Sequence, residues 1–336
     1  MIQRTALTSL LILLAALSAF AQGLEELAPT PTARHYRLTE DASSDTARFD
    51  LDLPKTQTPT GGFPTVVIVP GLGCQAEDYS IVRKRLVDEG YAVATFEWKD
   101  NEDYDASDWD ARLEVMTDLL LAEDQAAQSA LRGRIDEDRL GILGHSLGGS
   151  VAVVAAARDR RFKALAVFGP GGRETDFLDH ADRLRLPVIA IDGSLDKVTP
   201  PDEASGVVLE RANTRYTAHV IIADGSHPNC PADFNADYIR DSGRFVWKAI
   251  PFWPFYTYAY EFPIIEGVTP LPGRTQRAIA FPYLVGWFDR FVAGDANALD
   301  VVARGEDELA QGKLTRASFS AAVKGTVGVT GGLGGQ

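Results

Sequence analysis

A run of small residues around one serine constrains this chain more than any other feature. Residues 144–149 are Gly-His-Ser-Leu-Gly-Gly, with a short apolar stretch before them and the Ala- and Val-rich stretch 150–158 after them. A strand, a tight turn and a helix form the setting in which a Gly-x-Ser-x-Gly serine is strained and exposed at a helix N-terminus. The sequence therefore predicts that Ser146 is a nucleophile above the end of a sheet strand.

The rest of the chain alternates between strand-like and helix-like segments. Apolar or β-branched runs predict strands at 65–69, 91–96, 164–168, 187–191 and 217–222. Helical spacing appears at 76–90, 110–131, 201–213 and 275–293. This alternation predicts an α/β fold with a mostly parallel central sheet and helices on both faces.

The chain divides into four predicted segments. Arg4, the apolar run 10–20 and the small-x-small site ending at Ala21 predict a signal peptide over 1–21, because the run is too short for a comfortable membrane span. Residues 22–60 are polar and rich in Pro, Thr and Asp, which indicates an extended lead-in. The main domain is placed at 61–295, and a C-terminal extension with a Gly-rich tail at 296–336.

Composition limits the classes of partner. The 336 residues are 45% hydrophobic and 24% charged, as in ordinary globular proteins, but the formal net charge is −14. Such a surface argues against nucleic acid and anionic membranes as partners, and stable membrane insertion is not expected. An exported protein acting outside the cytoplasm is the expectation.

A serine nucleophile needs a base, and five histidines are available. His35 precedes the main domain, His145 lies inside the serine turn, His180 is in a polar stretch and His219 lies within a strand. His227 instead follows strand 217–222 in a loop, from which it can reach back over the sheet. We therefore expect His227 to be the base.

The acid that orients this base should lie between the serine and the histidine along the chain. Strand 187–191 is followed by Asp192-Gly-Ser-Leu-Asp196. Asp196 is favoured because it lies one loop further out, and Asp192 stays an alternative. Backbone amides that hold an oxyanion are expected at Leu147, after the nucleophile, and at Leu72, in the loop after strand 65–69.

Four motifs together resemble the α/β-hydrolase superfamily over about residues 60–295. They are Val69-Pro-Gly-Leu-Gly73, Gly144-His-Ser-Leu-Gly148, Asp196-Lys-Val-Thr-Pro200 and Gly225-Ser-His227. Within it the chain is similar to dienelactone hydrolase-like esterases, which include polyester hydrolases and bacterial cutinases. The resemblance implies a triad of Ser146, Asp196 and His227, with Leu72 and Leu147 as oxyanion donors.

Two departures from polyester hydrolases argue against plastic degradation. Those enzymes usually carry an aromatic residue where this chain has Leu72, and a clamping tryptophan where this chain reads Phe168-Gly-Pro-Gly-Gly-Arg173. Their disulfide between the acid and histidine loops also lacks a partner here, because Gly193 occupies the region where it starts.

An aromatic insertion, placed at 233–274, separates the histidine loop from the last helix. Half of the residues 245–262 are aromatic, against 9% of the chain. The insertion is either extra core or a flap over the site, in which case Trp253, Phe255 and Tyr256 would contact an apolar substrate.

Each of the two cysteines follows a loop of the predicted site. Cys74 comes after the oxyanion loop and Cys230 after His227, so a disulfide could join these loops in an oxidising compartment. The sequence shows no zinc-ligand spacing, phosphate loop or dinucleotide fingerprint, and no metal or cofactor is expected.

The sequence thus predicts a serine carboxylic ester hydrolase that acts on a small-molecule or polymeric ester. A lipase or phospholipid acyl hydrolase, or an acyltransferase, with the same triad stays open. So does a non-catalytic protein that binds an apolar ligand with its aromatic segment.

Overall fold

A computed structural model describes residues 23–41, 44–72, 74–98, 106–171, 176–227, 245–246, 259–260, 270–298 and 301–321. Its centre is a ten-stranded sheet. In chain order the strands of this sheet are β1 (Leu24–Leu27), β2 (Ala33–Asp41), β3 (Ser44–Pro54), β4 (Phe63–Val69), β5 (Ala92–Trp98), β6 (Ile135–His145), β7 (Phe162–Phe168), β8 (Val188–Gly193), β9 (Thr217–Ile222) and β12 (Leu314–Ser320). The short strands β10 (Phe245–Val246) and β11 (Ala259–Tyr260) pair separately.

The strands lie in the order β1-β2-β3-β5-β4-β6-β7-β8-β9-β12. The six adjacent strands β5-β4-β6-β7-β8-β9 are parallel to one another. The strands outside them pair antiparallel. All seven residues of β4 are buried, which explains its continuous apolar run. The mostly parallel sheet of an α/β-hydrolase fold is confirmed.

Helices cover both faces of the sheet. They are α1 (Ser80–Asp88), α2 (Ala106–Gln125), α3 (Leu147–Arg158), α4 (Asp176–Ala181), α5 (Ser205–Arg211), α6 (Gly273–Phe288) and α7 (Val301–Ala310). Neighbouring β4 residues face opposite sides: Val67 belongs to the core under α2 and α3, and Val66 to the core under α1 and α6. Aromatic residues of the last helix, such as Tyr283 and Trp287, are buried in this core.

The predicted extended lead-in is wrong over residues 24–54. These residues form β1, β2 and β3, and β3 pairs antiparallel with β5. The cause is visible in β3, where Phe49, Leu51 and Leu53 are buried and alternate with aspartates. A period of two is the signature of a strand, and it outweighs the polar average of the segment.

The C-terminal extension also belongs to the sheet rather than lying outside the domain. Helix α7 leads into β12, which pairs antiparallel with β9 and becomes its outer neighbour. The side chain of Leu314 is buried, and Tyr283 of α6 donates a hydrogen bond to Glu308 of α7 over 2.7 Å. The domain boundary at residue 295 is therefore corrected to include residues up to 320.

Most of the aromatic insertion lies outside the described residues. Its described parts are β10, β11 and residues 270–274, which lead into α6; β10 and β11 pair through Phe245 with Tyr260 and Val246 with Ala259. The predicted contacts Trp253, Phe255 and Tyr256, and the predicted signal peptide, lie outside the described residues. Within the described part of the chain, no helix is long and apolar enough to cross a membrane.

Candidate active site

Ser146 occupies a strained turn between β6 and α3. Its backbone has φ 54° and ψ −127°, a left-handed conformation that costs a residue with a side chain on the order of 1 kcal/mol or more. The turn is possible because the residues two positions before and after Ser146 are glycines without a side chain. A Cβ on Gly144 would lie 2.4 Å from the Gly148 carbonyl oxygen, and one on Gly148 would lie 2.2 Å from the Pro70 carbonyl oxygen.

The predicted acid and base meet beyond the ends of two neighbouring strands. Asp196 follows β8 and His227 follows β9, and these strands pair in parallel. Asp196 Oδ2 lies 2.7 Å from His227 Nδ1, so the ring nitrogen donates its proton to the carboxylate. The structure thus pairs His227 with Asp196 and not with the alternative, Asp192.

Further donors hold the Asp196 carboxylate in place. The amides of Val198 and Thr199 donate to Oδ1, both over 2.9 Å, and the Thr199 hydroxyl lies 3.0 Å from Oδ2. Burial opposes ionisation and is the largest single influence. The charge of His227, with the hydrogen bonds from His227 and Thr199, outweighs it and lowers the pKa of Asp196 below its usual value. The carboxylate is therefore ionised whenever the site works at neutral pH.

Gly169 connects the serine turn to this pair. The Ser146 amide donates to the carbonyl of Phe168 over 2.9 Å, and Gly169 follows with φ +49°. A Cβ on Gly169 would lie 3.0 Å from both Asp196 Oδ2 and His227 Nδ1. The backbone that fixes Ser146 therefore runs directly against the imidazole–carboxylate contact.

The two predicted oxyanion donors come from two segments next to Ser146. Leu147 is the first residue of α3, where helix amides have no partner within the helix. Leu72 lies in a turn closed by a 3.0 Å hydrogen bond from the Cys74 amide to the Gly71 carbonyl. A Cβ on Gly71 would lie 3.1 Å from Ser146 Cβ, so this turn packs directly against the serine.

Sequence reasoning did not single out Thr199, Tyr79 and His145 as parts of this site. Thr199 lies 3.0 Å from His227 Nδ1, and its place three residues after Asp196 was the available signal. Tyr79 and His145 are buried, and their contact joins residues 66 positions apart, for which the sequence carries no local signal.

The other histidines have contacts of their own. His219, predicted to pack within its strand, is buried in β9 with Nε2 at 2.8 Å from Asp192 Oδ2. His35 lies 2.8 Å from Asp52 of β3.

Of the two cysteines predicted to pair, the structure describes only Cys74. Cys74 is a free cysteine, and its predicted partner Cys230 lies outside the described residues. Burial is the main influence on the Cys74 thiol and raises its pKa to about 12, with the Tyr79 hydroxyl as a hydrogen-bond neighbour. The thiol is therefore protonated at neutral pH.

One acidic cluster lies apart from the serine, among the described residues. Carboxylate oxygens of Asp50, Glu77 and Glu97 lie within 4.8 Å of one another. Arg37 donates to Asp50 over 3.0 Å, and Arg48 forms a salt bridge with Glu97. These two guanidinium groups compensate the buried carboxylates, and an ion-pair network accounts for the cluster.

The chain is similar to known proteins over this same region. It matches the model of the PET hydrolase-like family over residues 52–245. It is 30% identical over 146 residues to bis(hydroxyethyl) terephthalate hydrolase of Streptomyces coelicolor, covering 43% of this chain and 44% of that protein. It is 28% identical over 234 residues to cutinase 2 of Thermobifida cellulosilytica, covering 69% of this chain and 70% of that protein.

A third relative is more distant in sequence but is covered more completely. The chain is 27% identical over 219 residues to a putative carboxymethylenebutenolidase of Yersinia pestis, covering 60% of this chain and 81% of that protein. The chain spans less than half the length of the terephthalate-ester hydrolase that it matches. Since the family model covers more than half of the chain, and the sheet has the matching architecture, the chain belongs to the PET hydrolase-like family of α/β-hydrolases.

Proposed function

We propose that this chain is a serine carboxylic ester hydrolase that works through an acyl-enzyme. The supporting observation is the 2.7 Å contact between Asp196 and His227, held beside the strained turn that carries Ser146. A serine in a strained strand-to-helix turn, with a short carboxylate–imidazole contact at the same end of the sheet, is the arrangement in which a serine acts as nucleophile.

In the proposed reaction, His227 Nε2 takes the proton of the Ser146 hydroxyl while Oγ attacks the ester carbonyl. Asp196 keeps the Nδ1 proton in place and stabilises the imidazolium that forms. The amides of Leu72 and Leu147 hold the oxyanion. The imidazolium then gives its proton to the leaving alcohol, and water repeats the sequence on the acyl-enzyme to release the acid and restore the serine.

The substrate we propose is a small or aliphatic ester. Relatives are named for cutinase and terephthalate-ester activities, which share ester cleavage. Where polyester hydrolases usually carry an aromatic residue and a clamping tryptophan, this chain has Leu72 and a segment, residues 168–173, that contains no tryptophan. Without these rings, aromatic polyesters lose their stacking partners, whereas an aliphatic acyl group can still pack on Leu72.

Export, with removal of residues 1–21, is part of the same proposal. N-terminal sequencing of the protein recovered outside the cytoplasm should begin at Gln22, and an intact Met1 on that material would contradict it.

Hydrolysis of p-nitrophenyl esters from acetyl to palmitoyl tests the function. The wild type should hydrolyse short esters best, and Ser146→Ala should lose activity by about 10⁴-fold or more. Ser205→Ala is the matched control, because its hydroxyl contacts Asp192 rather than the proposed base. We expect it to keep kcat within about threefold.

The same assay separates the alternatives. A wild type as inert as Ser146→Ala would contradict the proposal and favour a binding protein. A preference for palmitoyl esters would favour a lipase. A product that is mainly the ester of an added alcohol, at modest alcohol concentration, would identify an acyltransferase.

A further inference from the structure

We propose that Tyr79 and His145 are positioning residues that tie the oxyanion loop to the loop of the catalytic histidine; the inference rests on the proposed function. Three consecutive hydrogen-bond contacts connect Gly71 to His227. The Gly71 amide donates to the Tyr79 hydroxyl over 2.8 Å, and that hydroxyl lies 2.7 Å from His145 Nδ1. At the other side of the ring, His145 Nε2 lies 3.3 Å from the His227 carbonyl oxygen.

The donor and the acceptor in each of these three hydrogen bonds follow from the groups at the two ends of the series, the Gly71 amide and the His227 carbonyl. A carbonyl oxygen can only accept, so His145 Nε2 carries the ring proton and donates it to the His227 carbonyl. His145 Nδ1 is then a bare acceptor, and the Tyr79 O–H must donate to it. The Tyr79 oxygen keeps lone pairs free to accept the Gly71 amide. One arrangement therefore satisfies all the groups, which makes the link directional and rigid.

Burial keeps this arrangement intact. Tyr79 and His145 are 0% and 2% exposed. Burial, with a smaller contribution from the nearby His227, lowers the pKa of His145 to about 3, so its ring stays neutral at working pH. The rings of His145 and His227 lie 5.2 Å apart between centroids. The groups around the link are Cys74 and Asp78 near the tyrosine, and Asp196 behind the catalytic histidine.

The link joins three parts of the proposed site whose relative positions matter for the reaction. Gly71 precedes the proposed oxyanion donor Leu72, His145 precedes the nucleophile Ser146, and His227 is the proposed base. An oxyanion donor stabilises charge that exists only in the transition state, and small displacements of such groups reduce rate strongly. Loss of the link should therefore lower kcat and leave KM nearly unchanged.

Tyr79→Phe tests the link, with Tyr91→Phe as the matched control. Tyr91 is also buried, and its hydroxyl donates to Asp289 over 2.7 Å, away from the serine. With active sites titrated by a fluorophosphonate, we expect Tyr79→Phe to lower kcat about tenfold and to keep KM within twofold. Tyr91→Phe should match the wild type in kcat, even where both variants lose similar stability.

Variants of His145 provide a second, independent test of the link. Glutamine carries both a donor and an acceptor, so His145→Gln should keep most of kcat, whereas His145→Leu should lose at least as much as Tyr79→Phe. The double variant Tyr79→Phe with His145→Leu should lose no more than His145→Leu alone, because both changes break one link. If Tyr79→Phe does not fold, the pair of His145 variants carries the same comparison.

Two results would overturn the link while leaving the proposed function intact. One is equal kcat for Tyr79→Phe and Tyr91→Phe in an active protein; the other is full additivity in the double variant. A wild type without esterase activity would instead overturn the proposed function, and the link with it.

Discussion

The molecule pairs a histidine with an aspartate twice across strands β8 and β9, and the surroundings of the two pairs differ. Asp196 and His227 lie beyond the strand ends, 2.7 Å apart, whereas Asp192 and His219 lie within the strands, 2.8 Å apart. Both pairs are almost fully buried. By distance and burial alone, either could be the acid–base part of a triad.

The hydrogen-bond partners of the histidine and of the nearby serine distinguish the two pairs. A serine also approaches the inner pair, but Ser205 donates to Asp192 Oδ1 over 2.9 Å rather than to the histidine. His219 Nδ1 faces the Arg316 guanidinium at 3.3 Å and Nε2 faces Asp192, so both ring nitrogens are occupied. This histidine cannot accept a proton from a serine. The inner pair is a structural cross-link, and it also holds Gly169 through a 3.0 Å bond from its amide to Asp192 Oδ1.

The comparison teaches that a short carboxylate–imidazole contact does not identify a catalytic site. Residues within central strands face the helix layers, whereas residues just past the carboxyl ends of parallel strands face the opening above the sheet. Asp196 and His227 are past those ends, as is Ser146 after β6. Position relative to the strand end therefore favours Asp196 and His227, rather than Asp192 and His219, for the proposed catalytic role.

Isosteric substitution of the two aspartates should give the largest contrast. Asp196→Asn and Asp192→Asn each replace a buried carboxylate that accepts hydrogen bonds with a neutral amide, so each should lose about 3 kcal/mol of stability. Only Asp196→Asn should lose about 10⁴-fold in kcat, because its histidine no longer has the correct tautomer. Asp192→Asn should stay within about tenfold.

Urea unfolding and kcat per titrated active site provide the two measurements. The roles assigned to the pairs would be reversed if Asp192→Asn lost kcat by several orders of magnitude and Asp196→Asn did not.

Gly169→Ala sharpens the comparison at the point where the two pairs meet. Gly294→Ala is the control, since both glycines have positive φ, +49° and +85°, but a Cβ at Gly294 meets nothing within 4 Å. Each variant should lose about 1 kcal/mol from backbone strain. At Gly169 the new Cβ also lies 2.7 Å from Thr199 Oγ1 and displaces the acid–base pair.

We expect kcat to fall by about 10- to 100-fold in Gly169→Ala and to stay unchanged in Gly294→Ala. Steady-state kinetics with thermal unfolding of both variants is the measurement. Equal kcat in the two would show that the turn at Gly169 does not constrain the pair.

The sequence predicts those parts of the site that are specified locally. The turn at Ser146 needs glycine at 144 and 148, and both lie within two residues of the serine. The proposed base and the proposed acid follow from their places after β9 and β8. The parallel strands follow from continuous apolar runs such as β4.

Contacts between distant segments could not be predicted in the same way. Strand β12 pairs with β9 across about ninety residues, and Tyr79 meets His145 across 66. Nothing in either segment alone indicates its partner. The alternation of Phe49, Leu51 and Leu53 was a local signal, but the polar average of residues 22–60 hid it.

His145 extends the comparison to a third buried imidazole, one that contacts a hydroxyl and a carbonyl instead of a carboxylate. Burial lowers its pKa to about 3, against about 6.5 for a histidine in the unfolded chain. Between these values the unfolded chain binds a proton that the folded protein does not. The stability contributed by neutral His145 is therefore complete above pH 6.5 and is lost as the pH falls toward 3, by up to about 1.4 kcal/mol per pH unit.

His145→Gln isolates this effect because glutamine does not titrate. The free energies of unfolding of wild type and variant, measured in urea at pH 9, 8, 7, 6, 5 and 4, should differ by a constant amount well above pH 6.5. Below it the advantage of the wild type should shrink with each unit. Asp196, whose pKa is lowered, is present in both proteins and cancels in the difference. Parallel pH dependences for the two proteins would mean that His145 accepts a proton in the folded state, and the fixed hydrogen directions inferred for its contacts would then be wrong.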